Sequence, residues 1–192
     1  MSAPSSPVCG GRRVILASGS PRRRELLAYI VSAFEIIPSG IEEIAAGTPV
    51  QQVEQLAADK AADIAQRYPD AVVIGADTLV AVDELVLGKP TDEAEAAAML
   101  KQLSGRTHTV YTGVAVICAG KTHSLVEATQ VTFCRMTDEE IRDYIATGEP
   151  MDKAGAYGIQ GYGGKYITGI EGCFFNVMGL PLNRLYTILK SI

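Results

Sequence analysis

The chain of 192 residues has no apolar run of the roughly 18 residues that a membrane span needs. Its best stretch, residues 71–82, is cut by Asp77. It has no excess of basic charge: 17 Lys and Arg stand against 22 Asp and Glu, a net of −5, which excludes a general nucleic-acid binder. Four cysteines, at 9, 118, 134 and 173, show no C-x-x-C spacing. A zinc or dithiol site is thereby excluded, and the thiols read as the reduced cysteines of a cytoplasmic protein. The two histidines, His108 and His123, lack a third ligand at matching spacing and read as structural. No G-x-S-x-G or H-E-x-x-H motif occurs, and Cys173 has no histidine partner to make it a nucleophile. Residues 1–13 are rich in Ser, Pro and Gly and have no apolar centre, so they read as a flexible tail rather than a signal peptide. Internal repeats and low-complexity blocks are absent.

What is present suffices for a full core. Hydrophobic residues make up 47% of the chain, which fits one globular domain over residues 14–192, built in two lobes. Strands are expected at 14–17, 34–37 and 71–74, with the Gly75-Ala76-Asp77-Thr78 segment following the third. A hairpin is expected over 79–87 around Asp83-Glu84, and two long antiparallel strands at 109–118 and 125–133, joined through Gly120. Helices are expected from Pro21, capped by Ser20; from the Thr48-Pro49-Val50-Gln51 capping box to Tyr68; over 92–103; from the Thr137–Glu140 capping box to Gly148; and from Pro181 to Leu189. Helices and strands interleave with hairpins, so the class is α/β with a mixed sheet.

Five features carry chemistry. Ser18-Gly19-Ser20-Pro21-Arg22-Arg23-Arg24 follows a buried strand and opens a helix with three arginines in its first turn. Cations at the positive pole of a helix are unfavourable unless an anion binds, and serines, free N–H groups and guanidinium groups suit phosphate oxygens. The alternative is solvated arginines, or arginines paired with acids. Lys60 lies on the same helical face as Val53, Leu56, Ala57 and Ile64, so it must reach a cleft, pair with an acid, or snorkel at the edge of the core. Asp77 follows a run of buried β residues; it either positions a metal or takes a proton from water, or else caps a local turn. Gly88-Lys89-Pro90 is a kink that presents one cation, as an ordinary turn also would. The glycine-dense residues 152–161 either approach a ligand, with Gln160 offering donor and acceptor to a base edge, or form a surface loop. Together, Arg22, Arg23, Lys60 and Lys89, one poised acid, and Glu42 and Glu43 as acids that could share a metal, are the inventory for attack of water on a polyphosphate.

Five segments in one order carry a resemblance: 16–23 (Leu-Ala-Ser-Gly-Ser-Pro-Arg-Arg), 75–78 (Gly-Ala-Asp-Thr), 88–90 (Gly-Lys-Pro), 103–105 (Leu-Ser-Gly) and 152–161. From about Val14 to Leu189 the chain resembles the Maf family of nucleoside triphosphate pyrophosphatases. The resemblance implies a two-lobed mixed-sheet fold with a central cleft, related to the inosine triphosphatase architecture. It also implies hydrolysis between the α and β phosphates, a divalent cation (Mg²⁺ or Mn²⁺), and a homodimer. By motif, Asp77 would be the proton acceptor and, with Glu43, a metal ligand. Ser18, Ser20, Arg22, Arg23, Lys60 and Lys89 would hold phosphates, and Arg22, Thr78 and Gln160 would select the base. Thr78 and Gly158-Ile159-Gln160-Gly161 resemble the subfamily acting on dTTP and UTP, with a house-cleaning role against modified pyrimidine nucleotides. The rivals are a pyrophosphatase for 7-methyl-GTP or other modified purine triphosphates, and a nucleotide-binding regulator of cell division.

Overall fold

Three β-branched or leucine residues, Val14, Ile15 and Leu16, are buried on both faces and form β1 (Val14–Leu16) of a mixed sheet in a computed structural model that describes residues 8–83 and 85–192. The other strands are β2 (Glu35–Ile36), β3 (Val72–Val82), β4 (Leu85–Leu87), β5 (Thr107–Cys118), β6 (Lys121–Phe133) and β7 (Ile167–Glu171). Their hydrogen-bonded order is β2-β1-β3-β5-β6-β7, with β4 paired to β3 off this path. Helices are α1 (Pro21–Leu27), α2 (Pro49–Arg67), α3 (Glu93–Leu103), α4 (Asp138–Ala146), α5 (Phe174–Val177) and α6 (Leu182–Lys190). The α/β class with a mixed sheet is therefore as expected. No helix among the described residues is long and apolar enough to cross a membrane.

The chain divides into two compact units. The first takes the described part of Met1–Asp77 with Thr112–Glu127 and Gly179–Ile192; the second takes Thr78–Tyr111 and Ala128–Met178.

In the first unit β1 pairs in parallel with β2 and with the start of β3, in the register Val14 to Val72 and Leu16 to Ile74. The Thr48 capping box starts α2, whose Val53, Ala57, Ala61 and Ile64 are fully buried. Each large aliphatic side chain so buried contributes about 1.5–3 kcal/mol. Glycine lets this helix come down onto the strands. A Cβ at Gly75 would overlap the Ala57 carbonyl oxygen and stand 2.8 Å from the Ala61 nitrogen; one at Gly113 would overlap the Val53 carbonyl.

Residues 1–7 of the expected tail lie outside the described residues. Residues 8–13 are not tail-like. Val8 and Cys9 are buried in a short 3-10 turn, and the Arg12 guanidinium donates to Cys118 Sγ at 3.1 Å. Arg13 forms a two-pronged pair with Glu35 at 2.6 and 2.7 Å. Residues 8–13 are thus part of the folded unit, because Val8 and Cys9 are buried in its core.

In the second unit the end of β3 pairs antiparallel with β4, as the expected hairpin requires; Glu84 in its turn lies outside the described residues. Residues of α3, α4, β6 and the 154–166 segment pack a second core around Leu100, Leu103, Phe133, Ile141, Tyr144, Tyr157 and Tyr166. One expectation needs correction. Gly75-Ala76-Asp77-Thr78 is not a segment after a strand but the middle of the 11-residue β3. Of the two readings open for the glycine-dense stretch, the surface loop does not hold: it has short 3-10 turns at Glu149–Asp152, Ala154–Ala156 and Gly161–Tyr166, followed by β7.

Candidate functional site

In the first unit the candidate residues gather at the C-terminal end of β1 and the centre of β3. Ser20 caps α1 by accepting from the Arg23 backbone N–H at 3.4 Å, and Pro21 occupies the first turn. No acid sits in that first turn to offset the charge that Arg22 and Arg23 bring to a positive helix end. The Arg23 side chain folds back. Its Nη1 donates to Ser18 Oγ at 3.1 Å and its Nε to the Gly179 carbonyl at 2.9 Å. Ser18 Oγ also accepts from the Ser20 N–H at 3.3 Å. This interlocking fixes the 18–23 turn. Burial pushes the Arg23 guanidinium below its usual range, opposed by the negative charge of Asp77 and Glu43, while Arg22 adds to the lowering.

The charged centre is Lys60. Its exposure is 7% and that of Asp77 is 8%. Lys60 Nζ lies 2.7 Å from Asp77 Oδ1 and 2.8 Å from Glu43 Oε1. Of the readings open for Lys60, pairing with an acid holds, and Asp77 is no turn cap. A buried charge without a partner is costly, and the two carboxylates answer that cost for Lys60. The same glycine that seats α2 on β3 brings this pair together, because Gly75 meets Ala57 and Ala61, which bracket Lys60 in sequence.

Asp77 and Glu43 thus direct two hard oxygen donors at one cation. Such donors suit Mg²⁺ or Mn²⁺. Among the described residues no group of three or more His, Cys, Asp or Glu side chains could hold a metal. A divalent ion at this place would be held by Asp77 and Glu43 as its protein donors. Glu42 is exposed and takes no part in the Lys60 cluster.

In the second unit two motifs distant in sequence meet. The Gly155 N–H donates to the Gly88 carbonyl at 2.9 Å, fixing the kink that carries the exposed Lys89 to the glycine-dense segment. Gly155 has φ +70°, and a Cβ there would press within 3.0 Å of Val80. Thr78 is half-buried at the start of this unit's share of β3. Gln160 is exposed, with extended backbone (φ −93°, ψ 151°).

Glu149 and Tyr144 were not singled out in the sequence. The Tyr144 hydroxyl donates to Glu149 Oε1 at 2.7 Å and accepts from the Gly158 N–H at 3.0 Å. Glu149 also accepts from the N–H groups of Tyr162 at 2.9 Å and Gly163 at 3.0 Å. Burial alone would raise the Glu149 carboxyl, but these donors and Lys153 hold it below the usual carboxylate range. The only sequence signal was indirect: three closely spaced glycines needing something to pack against them.

His108 is structural, as expected. It is 2% exposed, with Nε2 2.7 Å from the Tyr157 hydroxyl and its ring edge-on to Phe133 and Tyr157. The four cysteines are free thiols.

Comparison with known proteins bears out the family resemblance. The family model described as Maf-like protein matches residues 13–192. A dTTP/UTP pyrophosphatase of Bacillus cereus is 51% identical over 182 residues, covering 94% of this chain and 95% of the relative. That of Pelotomaculum thermopropionicum is 52% identical over 184 residues, covering 94% and 96%. Among solved structures, protein VC0702 from Vibrio cholerae matches at 14% identity with a TM-score of 0.40 over 71% of this chain and 78% of that one, a likeness too slight to bear on fold or function.

Proposed function

The chain belongs to the Maf-like protein family, and from that membership we propose that it is a nucleoside triphosphate pyrophosphatase acting on dTTP and UTP. The observation that carries this reading is the buried Asp77, held 2.7 Å from Lys60 Nζ beside Glu43. Relatives at 51% and 52% identity over nearly the whole chain are named for the pyrimidine substrates, which favours these over modified purine triphosphates.

In this reading the oxygen of a water molecule bonds to phosphorus at the α–β anhydride, and the anhydride P–O bond breaks. Pyrophosphate departs, a nucleoside monophosphate remains, and Asp77 takes the proton of the attacking water. Lys60, already beside Asp77, and Arg22 and Arg23 counter phosphate charge, with Ser18 and Ser20 supplying hydroxyls and Lys89 a further cation. The interlocked 18–23 turn means that Arg23 also acts by holding Ser18 in place. Arg22, Thr78 and Gln160 select the base. A divalent ion on Asp77 and Glu43 would supply a Lewis acid and lower the pKa of a bound water. The enzyme acts as a homodimer in the cytoplasm, a compartment consistent with four free thiols. There it removes modified pyrimidine nucleotides before they are polymerised.

The test is a turnover panel of nucleoside triphosphates with separate detection of phosphate and pyrophosphate. Pyrophosphate release from dTTP and UTP, abolished by EDTA and restored by Mg²⁺ or Mn²⁺, is the expected result. Asp77→Asn should abolish turnover while leaving nucleotide binding measurable. Preference for a purine triphosphate, release of phosphate alone, or full turnover in that variant would overturn the reading.

A further inference from the structure

Gln160 itself makes no fixed platform: it is exposed, in a segment where residues 158, 161, 163 and 164 are all glycine. A base-reading amide on so flexible a chain would lose much of its binding free energy to ordering. The structure contains a device against that loss. On one side of Gln160, the Gly158 N–H donates to the Tyr144 hydroxyl, which donates in turn to Glu149 Oε1. On the other side, the Tyr162 and Gly163 N–H groups donate directly to the two Glu149 oxygens. One carboxylate therefore closes a ring of hydrogen bonds around the residue that is to read the base. The glycines fit around it. A Cβ at Gly161 would overlap Glu149 Oε2, and one at Gly163 would stand 2.5 Å from the Tyr144 hydroxyl.

We infer that Glu149, relayed in part by Tyr144, is a positioning residue for base selection, holding the 158–163 segment in the conformation that presents Gln160. This rests on the reading that Gln160 meets the base. Glu149 touches no reacting atom in this scheme; it sets the geometry from which Gln160 binds, and so acts on nucleotide affinity rather than on the chemical step.

The experiment compares Glu149→Gln, Tyr144→Phe, Gln160→Ala and the Glu149→Gln/Gln160→Ala double variant in the full chain, measuring kcat and KM for dTTP, UTP, dCTP and dGTP. Hydrogen exchange of the 158–163 amides is followed in parallel. Glu149→Gln should raise KM for dTTP about tenfold, the worth of roughly one charge-assisted hydrogen bond, with kcat within about twofold. It should narrow the dTTP-to-dCTP preference by a similar factor and speed exchange at Tyr162 and Gly163. Tyr144→Phe should move the same quantities less, and stands in if Glu149→Gln does not fold. In the Gln160→Ala background, Glu149→Gln should cost no further selectivity. Retained selectivity in Glu149→Gln and Tyr144→Phe, where Gln160→Ala destroys it, would overturn the role of Glu149 alone. Additive losses would do the same. Unchanged selectivity in Gln160→Ala would overturn the base reading beneath it.

Discussion

Lys60 Nζ and Asp77 Oδ1 lie 2.7 Å apart between two nearly buried side chains, and Lys60 has a second ion-pair partner in Glu43 at 2.8 Å. Lys60→Met takes from the buried Asp77 the cation hydrogen-bonded to it, leaving the Arg23 charge to face it, and should cost about 3–5 kcal/mol. Asp77→Asn leaves Lys60 with Glu43 and should cost only about 1–2 kcal/mol. Urea unfolding at pH 7 measures both, and equal losses would show that Glu43 does not compensate Lys60.

Gly75 and Gly120 separate two uses of glycine. At Gly75 a methyl group meets the α2 backbone, so Gly75→Ala should shift the helix, cost about 1–3 kcal/mol and lower kcat/KM by moving Lys60 off Asp77. At Gly120 nothing lies within 4 Å of the added carbon but φ is +73°, so Gly120→Ala should cost about 1 kcal/mol through the backbone alone and leave turnover intact. Melting temperatures and dTTP turnover of the two variants test this; wild-type values for both in Gly75→Ala would mean that the helix seat is slack.

His108 makes stability depend on pH in mild acid. Burial lowers its pKa from 6.5 to about 4. Between those values the unfolded chain binds a proton that the folded chain refuses, so stability is complete above about pH 6.5 and falls as pH drops toward 4. The shift corresponds to about 3 kcal/mol. Unfolding midpoints from pH 7 to pH 4 should show this slope, and His108→Gln should flatten it. An unchanged slope in that variant would assign the acid sensitivity to other groups.

Local patterns made much of this legible beforehand. The Thr48 box, the 3.6-residue spacing around Lys60, and Ser20 before Pro21 depend only on near neighbours, and each element formed as read. The partners of Lys60 were less visible, since Glu43 and Asp77 flank it 17 residues away on either side and meet it only after α2 is seated. The continuity of β3 through Gly75 is hidden because a glycine inside a strand pattern signals a bend or a close approach, and only the fold shows that what approaches is a helix backbone. Glu149 was invisible for a similar reason: three of its donors are a tyrosine hydroxyl and two backbone amides, and the amides carry no sequence signature. β7 hid in a glycine-dense stretch whose short alternation, Ile167 and Ile170 around Gly169, matches no clean period.

The tie between the Gly88 carbonyl and the Gly155 amide runs from main chain to main chain. Replacing side chains one at a time leaves both atoms in place, so a scan by alanine would register the crowding of Val80 at position 155 and say nothing about the tether itself. Only an imino acid or an ester linkage deletes that amide hydrogen. The backbone that carries Lys89 is thus held by a bond that an alanine scan does not touch, whereas proline at position 155 removes it.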